Sequence, residues 1–522
     1  MIKEQVKINS KESRTRNVSR NAVFGLITQI IRIFLEFIIR TVFIKKLGED
    51  YLGVNGLFTN VLTILSFAEL GIGNAIIFNM YKEVANENIE KLKSLMAFYK
   101  KAYITIGIAV LTIGGLITPF IPKIINGKPN ISDNIFLIYV LFLINTGISY
   151  FFAYKKSIIS AYQKEYIIST IKLISEILKS ILQILVLIIF NDYILFLIIQ
   201  IVSTLLDNLI ASIEANRRFK FLKDKNVKPL PQTEKSKIFT NVRALVMYKF
   251  GSVILNGTDN IIISSMLNIA TVGIVSNFNL IINTLTTLIA SVLNGFTSSI
   301  GNLNSNNDVS KQEDILNELQ IICVWIYGFC SIMFIILAND FMKLWIGSNY
   351  QLAYISVIAI GLHFYINGVQ FAGYTYRTTM GLFEKGKYCP VIGSVINIIL
   401  SIVLCKIIGL TGIILATSIS RLLTTTWYDI YMIYKYKFKK SPIKYYSKYL
   451  FYFVITTLIF IICNYVSSFI SSGLIETLII KFIISALLIN IIYFLVFCKN
   501  RFFQDIIQRI KLIINRKQTF KL

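Results

Sequence analysis

Residues 21–44 read NAVFGLITQIIRIFLEFIIRTVFI, and this stretch decides the fold class. As a helix rising about 1.5 Å per residue, it is long enough to cross the ~30 Å hydrocarbon core of a bilayer. Its polar residues Gln29, Arg32, Glu36 and Arg40 are spaced by three and four, so they share one helical face. An apolar helix with a single charged stripe belongs in a membrane bundle, with the stripe turned away from lipid. The whole chain follows this pattern: 55% of its 522 residues are apolar and the mean hydropathy is +0.66. One soluble core cannot hide that much, whereas about fourteen spans of ~20 apolar residues absorb it. A soluble enzyme, a nucleic-acid binder and a disordered tail are excluded for the bulk of the chain. The 53 Lys+Arg against 27 Asp+Glu, a net charge of +26, then report topology and attraction to anionic membrane lipids.

Further runs of spanning length cover 51–80, 97–122, 134–154, 166–190 and 193–214, then 239–266, 271–300, 316–339, 351–376, 388–409 and 411–434, with a last pair at 449–470 and 475–497. The expected architecture is an all-α integral membrane protein with about fourteen transmembrane helices. Two pseudo-symmetric six-helix lobes, 21–214 and 239–434, surround a central cavity, and a helix pair at 449–497 follows. Residues 1–20 form a polar, basic segment that leads into a signal anchor, 215–238 a linker, and 498–522 a basic amphipathic tail. With the loops alternating, about 39 of the 53 Lys+Arg fall on one side with both termini and about 6 on the other. That bias places both termini in the cytoplasm. Compared with itself at an offset of 220, the sequence pairs Gly53 with Gly273, Phe58 with Phe278 and Asn74 with Asn294. An offset spanning an even number of helices makes a parallel repeat, with its axis along the membrane normal.

Polar stripes recur on corresponding spans. Span five carries Ser169, Lys172, Glu176, Lys179 and Gln183, and its counterpart, span eleven, carries Gly393, Asn397 and Ser401. Span seven answers span one with Lys249, Ser252, Asn256 and Asn260. Span two adds Thr59, Ser66 and Glu69, span eight adds Asn279, Asn283 and Asn294, and spans six and twelve add Asp207 and Arg421. Such residues either line a wet cavity or neutralise one another locally, as Arg32 with Glu36 or Lys172 with Glu176 would at i,i+4. Cations outnumber carboxylates, which suits an anionic cargo. Arg32, Arg40, Lys172, Lys179, Arg243, Lys249, Asn256 and Arg421 are therefore the candidate substrate-binding residues. With no ATP-binding motif, proton or sodium coupling through Glu69 or Asp259 is one expected energy supply; Glu36 ranks behind them because Arg32 and Arg40 flank it. The alternatives are the membrane potential or consumption of the product outside.

Other signals point away from chemistry on the chain. Cys323, Cys330, Cys389, Cys405, Cys463 and Cys498 lie in or beside apolar runs without metal-site spacing, as small buried residues do. GLFEKGKY, from Gly381 to Tyr388, approaches a phosphate loop but lacks the final Ser or Thr and a preceding strand, so it reads as a cytoplasmic loop. His363, the single histidine, reads as a packed span residue. Glu83 to Lys101 is expected as an interfacial helix, and Arg501 to Lys517 as a membrane-surface helix or, equally, a frayed positive flank. No metal site and no cofactor are expected.

The stretches Leu47-Gly48, Tyr51-Leu52-Gly53-Val54 and Phe67-Ala68-Glu69-Leu70-Gly71-Ile72-Gly73-Asn74-Ala75-Ile76 resemble the polysaccharide transporter family. These are the Wzx-type oligosaccharide flippases of the multidrug/oligosaccharidyl-lipid/polysaccharide (MOP) superfamily. The resemblance extends to the span count, the two lobes and the final helix pair. It implies translocation of an undecaprenyl-pyrophosphate-linked oligosaccharide across the bacterial inner membrane by alternating access, for capsule, O-antigen or exopolysaccharide synthesis. The implied partners are the lipid-linked substrate, membrane lipids, a polymerase and other polysaccharide-assembly proteins, with no nucleic acid. Only Glu69 carries over by motif position. The Arg-x-x-Gly-x-x-Arg-acidic pattern of peptidoglycan-precursor flippases is not reproduced around Arg32 and Arg40. A small-molecule exporter of the same fold is the alternative, and a membrane glycosyltransferase or polymerase is disfavoured by the absence of a DxD motif and of a long external loop.

Overall fold

The computed structural model describes residues 14–66, 72–224, 226–304, 309–380, 382 and 386–508, and every element among them is a helix. The chain divides into two compact units, Met1–Gly273 and Ile274–Leu522.

The first unit begins with α1 (Arg14–Leu65), which holds span one and the start of span two. At Gly48 the backbone turns to φ 84°, ψ −172°, a conformation that a residue without Cβ adopts freely, and this breaks the helix between the two spans. Then come α2 (Ile72–Ala85) and α3 (Ile89–Ile117), a short turn and α4 (Ile121–Ile124), α5 (Ile135–Ala153), α6 (Lys156–Ala161), α7 (Glu165–Ile189) and α8 (Tyr193–Arg218). After the linker, α9 (Gln232–Gly257) and α10 (Asp259–Met266) make up span seven, broken at Thr258, and α11 (Ile269–Asn304) starts here and passes into the second unit. Asn88 caps α3, its side chain accepting from Lys91 N at 3.1 Å, so the interfacial helix expected over Glu83 to Lys101 is replaced. The physical reason is burial: Leu92, Leu95, Met96 and Tyr99 face the core, which makes 89–101 the first turns of span three. The linker is pinned to those turns: Lys93 pairs with Asp224 at 2.7 Å, Ser94 Oγ donates to Lys228 O at 2.6 Å, and Lys91 pairs with Glu234.

Within this unit the sequence repeat becomes visible as a crossing. A Cβ on Gly53 would overlap the Ile269 carbonyl oxygen, and a Cβ on Gly273 would overlap the Glu49 carbonyl oxygen. Residues 49 and 269 are related by the same offset of 220 as Gly53 and Gly273. The two contacts are therefore symmetry mates, and the second segment of α1 crosses the start of α11 at backbone contact because both positions lack a side chain. Beside the crossing, Asn126 Nδ2 donates to Leu267 O at 2.7 Å and Tyr51 Oη to Asp133 Oδ2 at 2.7 Å. The packing division at residue 273 thus differs from the repeat boundary: span seven and the first turn of span eight lie against α1.

The second unit contains α12 (Val309–Trp345), α13 (Tyr354–Thr379), α14 (Cys389–Leu423), α15 (Thr425–Ile433), α16 (Ile443–Ser468) and α17 (Leu474–Phe497). Non-helical Ile408 and Gly409 divide α14 into two arms, so spans eleven and twelve form one bent element. The final pair docks on α12, where Lys481 meets Asp340 at 2.7 Å, and is joined within itself by a hydrogen bond of 2.8 Å that Tyr493 Oη shares with Thr456. Residues 501–508 are helical, and the expectation of a membrane-surface helix is corrected for them. Phe503 is buried and stacks on Trp325 with ring centroids 5.3 Å apart, giving its apolar side to protein instead of lipid. Residues 509–517 of that expectation lie outside the described residues.

Nine helices among the described residues are long and apolar enough to cross a membrane, one of them, residues 389–438, holding spans eleven and twelve. Spans one, five and seven are helical too, as are the described parts of span two, but they carry the charged stripes or are divided into two elements. On α7 the two faces separate. Ile174, Leu178, Ile181, Leu185 and Ile188 are about half exposed on one face, and Lys172, Glu176, Lys179 and Gln183 occupy the other. An outward apolar face of this length is unfavourable in water and suited to lipid.

Candidate substrate and ion site

The charged stripes of α1 and α7 meet in the first unit, where the two helices pack along each other. Arg32 Nη2 donates to Glu36 Oε1 at 3.1 Å, and Arg40 lies within electrostatic reach of the same carboxylate. On α7, Glu176 pairs with Lys179 at 2.6 Å, taking the i,i+3 partner in place of the expected Lys172. Asp207 on α8 pairs with Lys156 on α6 at 2.6 Å. Lys172 is exposed and has Arg32, Glu176, Asp207 and Lys156 as its electrostatic neighbours, yet it makes no ion pair among the described residues. Arg32, Arg40, Lys156, Lys172 and Lys179 thus stand against Glu36, Glu176 and Asp207. The cluster has a positive excess and one uncommitted ammonium, which can take an anion without first breaking a pair.

The remaining first-unit candidates are placed less fully. Lys249 is partly exposed on α9, and Asp259 opens α10 directly after the break in span seven. Arg243 and Asn256 lie on α9 with their side chains outside those described, and Glu69 lies outside the described residues. In the connection between spans one and two, the Glu49 carboxyl is pushed up by burial and then by the charge of Asp50.

In the second unit the expected cavity stripe on span eleven is corrected. Asn397 and Ser401 are fully buried, and Asn397 Nδ2 donates to Thr417 Oγ1 at 2.9 Å. Short uncharged side chains here satisfy each other between the arms of α14, which lets the arms close. Gln183, the last member of the span-five stripe, is likewise internal, donating to Phe196 O at 3.2 Å. Arg421 is buried and donates to Gln370 Oε1 at 3.3 Å. Gln370 also bonds Asp429, and Asp429 pairs with Arg377 at 3.0 Å, with both side chains nearly inaccessible. Gly386 leaves the room that the Arg377 guanidinium occupies. His363 stands near Arg421 on α13.

Arg377 and Asp429 were not singled out from the sequence, although a signal exists. They lie 221 and 222 residues after Lys156 and Asp207, beside the repeat offset of 220, so each half carries an ion pair at the same place. The first pair is partly exposed and the second fully buried. Cys323, Cys405 and Cys463 are buried as expected, and all six cysteines are free.

The sequence matches no protein-family profile and no curated protein. In fold the chain is similar to solved transporters. A lipid II flippase, MurJ, in an inward closed conformation superposes with a TM-score of 0.62 at 16% identity, over 91% of this chain and 98% of that one. An inward-facing multidrug resistance MATE family transporter of the MOP superfamily gives 0.59 at 14% identity, over 79% and 98%. A MATE transporter of Vibrio cholerae gives 0.56 at 11%, over 83% and 98%. The chain has the all-helical, multi-pass fold of these transporters.

Proposed function

We propose that the protein is a flippase for a polyprenyl-pyrophosphate-linked oligosaccharide in a bacterial inner membrane, working by alternating access without covalent chemistry. The observation that carries this reading is the cation-rich cluster on α1 and α7, with Lys172 exposed and uncommitted. A pyrophosphate leaving water must regain hydration energy from fixed positive charge, and such a cluster supplies it. The lipid II flippase fold also leaves less of this chain unmatched than the MATE folds do. The absence of the peptidoglycan-precursor arginine pattern around Arg32 and Arg40 favours an oligosaccharide repeat unit as the sugar part. Arg32, Lys172, Arg243 and Lys249 attract the diphosphate, Arg421 is the candidate cation of the second unit, and Glu69 or Asp259 supplies ion coupling. Both termini face the cytoplasm, and polymer-assembly proteins take the product outside.

The test is polymer output in cells carrying single Ala substitutions at the five cations, with protein level measured beside it. Reduced output at normal protein level is expected, most of all for Lys172→Ala; normal output in all five variants would overturn the assignment. A second reading, a small-molecule exporter, is favoured by the MATE likeness. It predicts efflux of cationic compounds, to which the positive cluster is poorly suited.

A further inference from the structure

A concave feature of the first unit lies between α7 and α8, away from the charge cluster. A groove of about 360 Å³ is walled by Thr170, Ile171, Ile210 and Ile213 and closed at one end by Glu214 and Arg218. Its wall opens outward: Ile210 is 45% and Ile213 65% exposed. On a membrane-spanning helix, exposed apolar side chains of this kind face acyl chains. The closed end has a different character. Arg218 Nε meets Glu214 Oε1 at 2.5 Å and Arg217 Nη1 lies 4.0 Å from the other oxygen, so two guanidinium groups share one carboxylate. The Arg217 side chain is 82% exposed, leaving most of its donors to solvent. Lys220 and Lys223 follow within the next turn and add to the positive excess.

We infer that this groove binds an anionic glycerophospholipid, with one acyl chain along Ile171, Ile210 and Ile213 and the phosphate on Arg217 and Arg218. An apolar trench that ends in net positive charge at a helix terminus complements an acyl chain attached to a phosphate. A zwitterionic headgroup gains less, because its ammonium meets the same cations. Basic side chains near a membrane surface contribute on the order of 1 kcal/mol each, so a preference of about five-fold for the anionic headgroup is expected per uncompensated arginine. The site rests on the membrane-spanning reading of α7 and α8 and is independent of what the protein transports.

The experiment is native mass spectrometry of the purified, delipidated full chain, titrated with dioleoyl phosphatidylglycerol or dioleoyl phosphatidylcholine. About five-fold tighter retention of phosphatidylglycerol is expected. Arg217→Gln with Arg218→Gln brings the two lipids level while phosphatidylcholine binding stays. Glu214→Gln, which frees both guanidinium groups, raises the preference, and Thr170→Trp, which fills the trench, lowers retention of both lipids. A preference unchanged in the arginine double variant, or one that falls in Glu214→Gln, overturns the assignment. Loss of phosphatidylglycerol on adding millimolar inorganic phosphate would show a free-anion site instead and overturn it equally. Melting temperature and elution volume of each variant confirm folding, and polymer output is not a readout here.

Discussion

Lys172 and Arg377 show how the same charge takes opposite roles according to what surrounds it. Lys172 is exposed and makes no ion pair, so Lys172→Ala is expected to change stability by no more than about 0.5 kcal/mol while lowering transport. Thermal unfolding in detergent, set beside polymer output, separates the two effects. Arg377 is buried against Asp429, and removing one partner strands the other charge in a low-dielectric interior. Arg377→Met is expected to cost roughly 3–5 kcal/mol, and Arg377→Met with Asp429→Leu to recover much of it. The equivalent Lys156–Asp207 pair keeps about a fifth of each side chain in solvent, so Lys156→Met is expected to cost only about 1 kcal/mol. Urea titration of the three variants checks the ranking, and equal losses in both halves would refute it. The stripes on α1 and α7 were legible because their charges recur at three and four. Arg377 and Asp429 were missed, because each is a single charge with no partner at helical spacing, and the repeat offset that relates them to Lys156 and Asp207 gains meaning only once the fold brings them together.

At the scale of elements, helix existence was legible throughout, whereas helix interruptions were legible only in part. Gly48 and the bend at Gly409 fall where the hydropathy gives a gap between spans. The break at Thr258 was read through as part of one span, although Asn256-Gly257-Thr258-Asp259-Asn260 is a run of polar and turn-forming residues that marks it. The glycine crossing was visible only as a repeat match, and its contact gives that match a physical cause. Gly53→Ala and Gly273→Ala each press a methyl onto a backbone oxygen that cannot move aside, so each is expected to lose about 1–3 kcal/mol or more. Gly25→Ala on α1 meets nothing within 4 Å and is expected to be neutral or mildly stabilising, which makes it the control for helix propensity. The crossing also carries a pH signature. Glu49 has its pKa raised in the fold, so folding favours its protonated form. Its penalty is absent below the ordinary carboxyl pKa of about 4.3 and grows as pH rises through the raised value. Melting temperatures from pH 4 to 7 are expected to fall less in Glu49→Gln than in the wild type; identical slopes would remove Glu49 from the account.

For the whole molecule, the charge balance bears on direction and the carboxylates of the spans bear on energy. With α8 ending in Arg217 and Arg218 and the linker clamped to α3, the segment 217–237 is rich in basic residues and held to the first unit. By the positive-inside rule it is expected in the cytoplasm with both termini, and reporter fusions there are expected to read as internal; an external reading would invert the map. A flippase of this orientation moves a dianion outward, which the inside-negative membrane potential favours, so coupling has to be tested apart from that field. Asp259 is the strongest described candidate by position, because it opens α10 at the junction between the two helices of span seven. Glu36 is already committed to Arg32 at 3.1 Å, and Asp207 to Lys156. Translocation measured in sealed vesicles under imposed proton or sodium gradients, with the potential clamped, isolates the ion term. Asp259→Asn and Glu69→Gln are each tested alone and then together, and at least one is expected to abolish the gradient dependence while leaving flow driven by potential alone. If the double variant responds to the gradients as the wild type does, neither carboxylate couples, and consumption of the product outside, together with the field, remains as the driving force.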